Sequence, residues 1–222
     1  MIKKLAIVAV IALAALGGYF AYQRHVNKQQ LAKSDAGALV TDTGTPSKTT
    51  TQVATGPMRT FKLADKSQIK WTGYKKVGRH SGAFVLFEGT GKMPGTNIEQ
   101  ASIDLNIETE SCETDDMILT GVMKKEQFFH CEKFPNSIFK SVSITKADGP
   151  NKFTVIGDLM LRDVTKRISF PATITVEGDI VKLEADFKVN RRWWGIVYES
   201  VGDAFLEDDV RLELKAEAKE TK

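Results

Sequence analysis

The chain has 222 residues, 42% hydrophobic and 27% charged, enough for one folded domain of ordinary composition with appendages. Its net charge of +3 is unevenly placed: residues 1–57 hold six basic and two acidic side chains, and the remainder is within one charge of neutral. That balance excludes the one-sided basic field of a nucleic-acid binder, and a total of two cysteines excludes a disulfide-dense scaffold.

The N-terminus reads MIKKLAIVAVIALAALGGYFAY. Lys3 and Lys4 precede an uncharged run from Leu5 to Tyr22, which at ~1.5 Å rise per residue approaches the ~30 Å of a bilayer core. A cleaved signal would use Leu5–Leu16 as its apolar centre, with a small-residue site near Ala15-Leu16-Gly17. An uncleaved anchor would use the whole run, with Tyr19, Phe20 and Tyr22 at the far interface and the two lysines in the cytoplasm. The length of the run favours the anchor. Residues 1–28 are therefore expected to be a membrane anchor or signal segment. The rest is expected on the periplasmic side of an inner membrane, or free in the periplasm after cleavage. Residues 29–57 are rich in Ala, Thr, Ser, Gly and Gln and read as a flexible linker.

From Met58 the pattern changes to period two. Ile69, Trp71 and Gly73 alternate with polar neighbours, as do Ala101, Ile103, Leu105 and Ile107. The same spacing recurs over Phe153–Leu161, Ile168–Val176, Val181–Val189 and Val210–Ala216. Such alternation gives each strand one apolar and one wet face. Pro94-Gly95, Asp148-Gly149-Pro150 and Gly178-Asp179 supply turns. About eight or nine strands with short connections predict a sandwich or an up-and-down barrel. Some inward positions are small (Gly73, Ala101, Gly157, Ala172, Ala185) and others large (Trp71, Phe153, Phe170, Phe187). That mixture fits either a cavity or a tapered dry core.

Ser111–Phe139 breaks the pattern and holds both cysteines. Its spacing puts Ile118, Val122 and Phe129 on one helix face. Thr114 or Asp115 is placed to cap a short helix, and Gly121 weakens its end. A second helical stretch is expected over Lys124–Phe129, and Pro135 returns the chain to extended backbone. Two short helices between strands cannot lie in the sheet, so they are expected to form a lid over a barrel mouth. A disulfide between Cys112 and Cys131 is expected to pin this lid, and closing a loop of about 20 residues would contribute ~3 kcal/mol. No metal site is expected, because neither C-x-x-C nor H-x-x-x-H spacing occurs. No catalytic set is expected either: G-x-S-x-G, H-E-x-x-H and the P-loop are all missing.

Within the insert, Thr114, Lys124 or Lys125, Phe128-Phe129, Phe134-Pro135, Ser137 and Phe139 form a pattern that resembles the YceI-like family of lipocalin-shaped, polyisoprenoid-binding proteins. Three further segments are similar to that family, in its order. They are Ile69-x-Trp71 with Val77-Gly78-x-His80-Ser81-Gly82; Gly157-Asp158-Leu159-x-Leu161-x-x-Val164-Thr165-Lys166; and Asn190-Arg191-x-Trp193-Trp194-Gly195-Ile196-x-Tyr198. The likeness runs from about Phe61 to Ala216. Gly121-Val122 stands where the family has His-Leu, and Asp163 where it has Gly.

The resemblance implies an all-β fold: an antiparallel eight-stranded lipocalin-like barrel over 58–218 with a short helical lid insert. Here an N-terminal transmembrane helix would precede it and a polar tail, 219–222, would follow. It implies a bound isoprenoid, quinone or other amphiphilic lipid, held for carriage, storage or sensing, with no other cofactor. A polyprenyl tail offers only apolar surface, so the candidate lining is aromatic: Trp71, Phe84, Phe87, Phe128, Phe129, Phe134, Phe139, Phe187 and Trp193. Expected partners are the lipid and, through the N-terminal helix, the membrane; a homodimer is left open. The competing reading is a dry-core interaction or assembly module of the cell envelope. A remoter one is a redox enzyme using Cys112 and Cys131.

Overall fold

The structure, a computed structural model, describes residues 38–39, 56–198 and 205–221. Alternating side chains build twelve strands: β1 (Ala38–Leu39), β2 (Met58–Leu63), β3 (Gln68–Lys75), β4 (Arg79–Phe84), β5 (Phe87–Pro94), β6 (Ser102–Glu108), β7 (Cys112–Thr114), β8 (Asn136–Lys146), β9 (Lys152–Leu161), β10 (Val164–Glu177), β11 (Ile180–Asn190) and β12 (Leu206–Glu220). Several are halves of one bent stave. β2 and β3 both pair with β12, Leu63 opposite Ala218 and Gln68 opposite Lys215. At the bend the Ser67 hydroxyl donates to the Glu217 carbonyl (3.2 Å) and accepts from the Glu217 N–H (3.0 Å). β4 pairs with β3 and β5 with β2, and β7 and β6 line up beside them in the same way. β8 to β11 add antiparallel staves, and β11 pairs with β12. Among the described residues the result is a closed eight-stave antiparallel barrel with one α-helix, α1 (Met117–Met123). Closure leaves no long sheet edge open to other chains.

The two faces of each stave divide as the alternation requires. Ala172 lies opposite Ala185 and Ile174 opposite Leu183 on the inner face. On the outer face Arg167 meets Asp158 through two 2.8 Å bonds, Arg211 meets Asp186, and Arg59 meets Glu220. Cross-strand pairs of this kind are worth ~0.2–1 kcal/mol each. The Arg167 guanidinium holds the Asp158 carboxyl below the usual carboxylate range, against the opposing effect of partial burial. The β9–β10 hairpin turns on two residues, Arg162 and Asp163, both at positive φ (53° and 58°). That matches the twist of the flanking strands, and Asp tolerates the left-handed conformation better than most side chains.

The connections after β3, β7, β9 and β11 gather at one end, here the lid end. Those after β5, β8 and β10 gather at the far end. The lid differs from its expected form. Cys112–Thr114 is a strand on β4 and Asn136 already belongs to β8, so the insert proper is 115–135. Asp116 caps α1 by accepting from the Leu119 N–H at 2.9 Å, while the Thr114 hydroxyl lies 3.0 Å from that of Thr120. Residues 124–134 form consecutive turns rather than a second helix, with His130 at φ 50°. Because the helix stops at Met123, its phase does not carry through to Phe129. Ile118 is 81% exposed, Phe129 is buried, and the face turned inward is Leu119 and Met123 instead.

The anchor or signal segment and most of the linker lie outside the described residues. Within the linker, Ala38–Leu39 pair in parallel with Phe187–Lys188 of β11, just beyond Ala185, where the β10 pairing ends. Among the described residues no helix is long and apolar enough to cross a membrane.

Candidate functional site

The barrel encloses a cavity of about 350 Å³. Phe61, Met93, Ile144 and Ile174, each no more than 3% exposed, close it at the far end. Its walls include Trp71, Leu105, Phe139, Leu159, Phe170 and Phe187, with Phe170 and Phe187 stacked at 4.3 Å. The roof is Leu119 and Met123 from α1, Phe128 and Phe129 from the turns, and Trp194 and Ile196 after β11. Phe129 meets the wall edge-on at Phe84 (5.3 Å), and Phe128 stacks on Tyr198 (5.7 Å).

The small inward residues divide into two kinds. A Cβ on Gly73 would find nothing closer than a Trp71 ring carbon at 3.8 Å, so this glycine borders open space. A Cβ on Gly157 would run into the Phe139 ring and come within 2.7 Å of the Lys140 carbonyl oxygen. Gly82 is likewise covered by the Trp71 ring, 2.5 Å from where its Cβ would sit. Ala172 and Ala185 are packed and do not line the cavity. The space comes from Gly73, Gly91 and Ala101 on the β3, β5 and β6 side.

A polar cluster fastens the lid to the β3–β4 hairpin. Lys75 Nζ donates to His80 Nε2 at 2.8 Å, and His80 Nδ1 lies 2.9 Å from Asp115 Oδ1. These contacts suit a neutral imidazole carrying its proton on Nδ1. The other Asp115 oxygen accepts from the Ser81 N–H (2.9 Å) and hydroxyl (3.2 Å). Burial alone would raise the Asp115 carboxyl, but the Ser81 and His80 bonds outweigh it and leave it below the usual range. On the other side of the mouth Arg191, 6% exposed, donates to the carbonyls of Ile196 (2.7 Å) and Glu207 (3.1 Å) and to Asp208 (3.2 Å). It thereby ties the segment after β11 to the start of β12.

A family model described as the YceI-like domain matches residues 61–218. The chain belongs to the YceI-like family. It is 30% identical over 98 residues to the protein YceI of Escherichia coli O157:H7, covering 44% of this chain and 50% of that one. A UPF0312 protein of Yersinia enterocolitica is 28% identical over 113 residues, covering 50% and 56%. The chain thus spans about half the length of these curated relatives. Among solved structures, BcnA of Burkholderia cenocepacia aligns with a TM-score of 0.64 at 21% identity, over 69% of this chain and 97% of that one. A polyisoprenoid-binding domain from Saccharophagus degradans aligns with a TM-score of 0.57 at 13% identity, over 72% and 98%. The YceI protein of Campylobacter jejuni aligns at 0.54 and 21%, over 64% and 85%. These likenesses show that the fold is shared.

In this YceI-like barrel, seven of the nine aromatic residues singled out from the sequence border the cavity: Trp71, Phe84, Phe87, Phe128, Phe129, Phe139 and Phe187. Phe134 and Trp193 do not. Phe134 lies on the outside of the lid between His130 and Lys133, and Trp193 leans on Trp194 (5.9 Å), which takes the inward place. Leu119 and Met123 went unrecognised in the sequence, as did the link from Lys75 through His80 to Asp115, although His80 itself reads as a hairpin hydrogen-bonding residue. The i, i+4 spacing of Leu119 and Met123 was a usable signal for the first two.

Cys112 and Cys131 are free thiols, 0% and 4% exposed, and not the expected disulfide. The lid is held without a bridge, by the Asp115 cluster, by Thr114 and by the Thr109 hydroxyl donating to the Phe134 carbonyl at 2.7 Å. Burial pushes the Cys112 thiol up to about 12. The Trp71 indole N–H opposes that shift, although it completes no hydrogen bond among the described residues. Burial also raises Cys131, against the Thr109 hydroxyl. Thiols so protonated are poor nucleophiles, which argues against redox chemistry at this pair. Among the described residues, no three His, Cys, Asp or Glu side chains converge on a metal-sized site.

Proposed function

We propose that this chain is an exported binding protein that encloses one isoprenoid or similar long lipid chain in its barrel. The observation that carries this reading is the apolar cavity of about 350 Å³. At ~24 cal/mol per Å³, a void of that size, if sealed and empty, would cost up to about 8 kcal/mol, comparable to the whole stability of a typical domain. Water is a poor filler, since each buried molecule needs about three polar partners and the walls are hydrocarbon. A lipid chain fills it favourably. At ~0.8 kcal/mol per buried methylene, ten carbons give ~8 kcal/mol, within the association cost of ~4–15 kcal/mol, and twenty give ~16 kcal/mol, above all of it. The arithmetic favours a long chain. The polyisoprenoid-binding description of the Saccharophagus degradans domain supports the class. A dry-core assembly module would need a filled interior, and the cavity weighs against it.

Residues 1–28 serve in this proposal as a single-pass anchor in the inner membrane, with the barrel on the periplasmic side. The uncharged run from Leu5 to Tyr22 supports that placement. Native mass spectrometry of the chain, extracted gently from its membrane, tests the function. A bound mass matching a long-chain lipid is expected. A barrel that is always empty, and takes up no polyprenyl or quinone probe, refutes the proposal. N-terminal sequencing of the same sample separates the anchor from a cleaved signal.

A further inference from the structure

The lid end is apolar on the outside as well as the inside. Among the described residues nine large apolar side chains are exposed, and five of them lie at this end: Val77, Met117, Ile118, Val164 and Phe205. The others are dispersed: Met58 at the far end, Val85 and Leu86 at the β4–β5 bend, and Val142 at the β8 bulge. Helix α1, MILTGVM, has no charged residue. Leu119 and Met123 face the cavity while Met117 (90% exposed) and Ile118 (81% exposed) face outward. Apart from Thr120, which bonds Thr114, the helix's side chains are uncharged and mostly apolar, and a large apolar outer face is unusual for a helix that meets only water.

Four of the exposed side chains, Val77, Met117, Ile118 and Phe205, are linked through the hairpin and the start of the insert. The Lys76 N–H donates to the Phe205 carbonyl at 2.9 Å and the Lys76 ammonium sits 5.2 Å from the Phe205 ring, which joins Phe205 to the hairpin carrying Val77. His80 and Ser81 tie that hairpin to Asp115, two residues before Met117. The hairpin Lys75–Arg79 holds three basic residues and no acidic one; Lys75 turns in to His80, and Lys76 and Arg79 are the exposed pair. Of the carboxylates closest to the hairpin and helix, Asp115 is bonded to His80 and Ser81, Asp116 caps the helix and Asp208 pairs with Arg191 and Arg192, while Glu126, Glu132, Asp163 and Glu207 are exposed around the rim of this end.

We infer that the lid end docks on an anionic phospholipid bilayer, with Met117, Ile118, Val77 and Phe205 entering the interface and the Lys75–Arg79 hairpin facing the headgroups. Apolar tips beside a cationic flank are the chemistry of interfacial binding. A bilayer fits better than a protein partner because the insert roofs the cavity with one face and presents the other to solvent. The inference rests on lipid occupancy of the barrel. A long-chain lipid resides in membranes, and a mouth pressed against one passes the chain across without wetting it.

The test uses two native methionines as reporters, Met117 at the lid end and Met58, 61% exposed, at the far end. The full chain, labelled with carbon-13 at its methionine methyls, is combined with phosphatidylethanolamine–phosphatidylglycerol nanodiscs containing a spin-labelled phospholipid. The Met117 signal is expected to lose most of its intensity while Met58 keeps its own. Ile118→Asp, at an exposed position that leaves folding intact, should restore Met117, and replacing the anionic lipid by phosphatidylcholine should do so in part. Loss at Met58 instead, or at neither, overturns the inference. So does loss of Met117 caused by a spin-labelled second copy of the chain in the absence of lipid, which would make this face a dimer contact. Native mass spectra of the same samples separate the two failures: a lipid-loaded barrel with Met117 unaffected defeats the docking face alone, and a barrel never loaded defeats the function beneath it.

Discussion

Gly73→Leu distinguishes a real cavity from loosely drawn packing. Gly73 lies in β3 opposite His80 of β4 and Val210 of β12, on the inner face with Ile69 and Trp71. Nothing stands closer than 3.8 Å to a Cβ built there, so a leucine enters open apolar space. Burying that side chain contributes ~1.5–3 kcal/mol. Removing a glycine from a strand interior adds ~0.5–1 kcal/mol, and the ordering of the leucine takes about as much away. The lipid-free chain should gain about 2 kcal/mol, raising its Tm by roughly 4–8 °C for a domain of this size. The same leucine occupies room the lipid needs, so occupancy by native mass spectrometry should fall. Gly157→Ala is the matched contrast. It too points inward, but against the Phe139 ring and the Lys140 carbonyl, and should lose ~1–3 kcal/mol. If Gly73→Leu destabilises as Gly157→Ala does, the space is not there. If it stabilises while lipid occupancy stays unchanged, the lipid is held elsewhere.

Three further outcomes are expected. The folded-state pKa of Asp115 is depressed, so its contribution to the lid is complete above the unfolded value of ~3.9 and is lost as pH falls below it through the folded-state value. Proteolysis within 115–135 should therefore speed up below about pH 4, and Asp115→Asn should show the fast rate already at neutral pH, with no acid step. The native chain at pH 8 should resist iodoacetamide, since the Cys112 thiol is pushed up to about 12, while the unfolded, unreduced chain should take up two equivalents; fewer than two would reveal a bridge. Phe129→Ala removes the roof's edge-on contact with Phe84 and should cost ~3–5 kcal/mol and hasten lipid exchange. Unchanged exchange with the expected loss of stability would place the lipid's route away from the lid.

Strands were legible where both faces kept their signature. β6, β9 and β11 occupy the spans their patterns indicated, whereas β10 (Val164–Glu177) and β12 (Leu206–Glu220) run beyond theirs, and Lys219 and Glu220, expected in a polar tail, pair with Ile180 and Phe61. β4 and β5 were harder to see because their inward positions include glycine. Gly82 carries no apolar side chain of its own because Trp71 on the neighbouring strand covers it, and Gly89 leaves its place to Leu105 in the same way. The apolar half of the alternation had been moved one strand over, where a single-strand pattern cannot register it. β7 was absorbed into the insert for a different reason: three residues are too few to show a period.

The site was legible as a class of residue more than as an arrangement. Aromatic side chains on inward strand positions had to meet around the axis, and most of those named do. Trp193 sits next to Trp194, which could serve equally well, and Phe134 falls in the turns before β8; sequence gives no way to tell which residue turns inward once regular structure stops. The same limit governs the cysteines. Nineteen residues apart in a chain expected to be exported, they met the usual expectation for a bridge, yet pairing depends on where the turns after Met123 deliver Cys131. The lid's actual fastening, from Lys75 through His80 to Asp115, joins residues from a hairpin and an insert that become neighbours only when β7 pairs with β4. Long-range pairing of that kind positions the polar contacts around a cavity whose apolar lining the local pattern could already announce. The lid is held by one carboxylate, a few hydroxyls and the packing of Met123 and Phe129, with no covalent bond, and on the proposed reading it is this fastening that a lipid chain would have to loosen to enter the barrel.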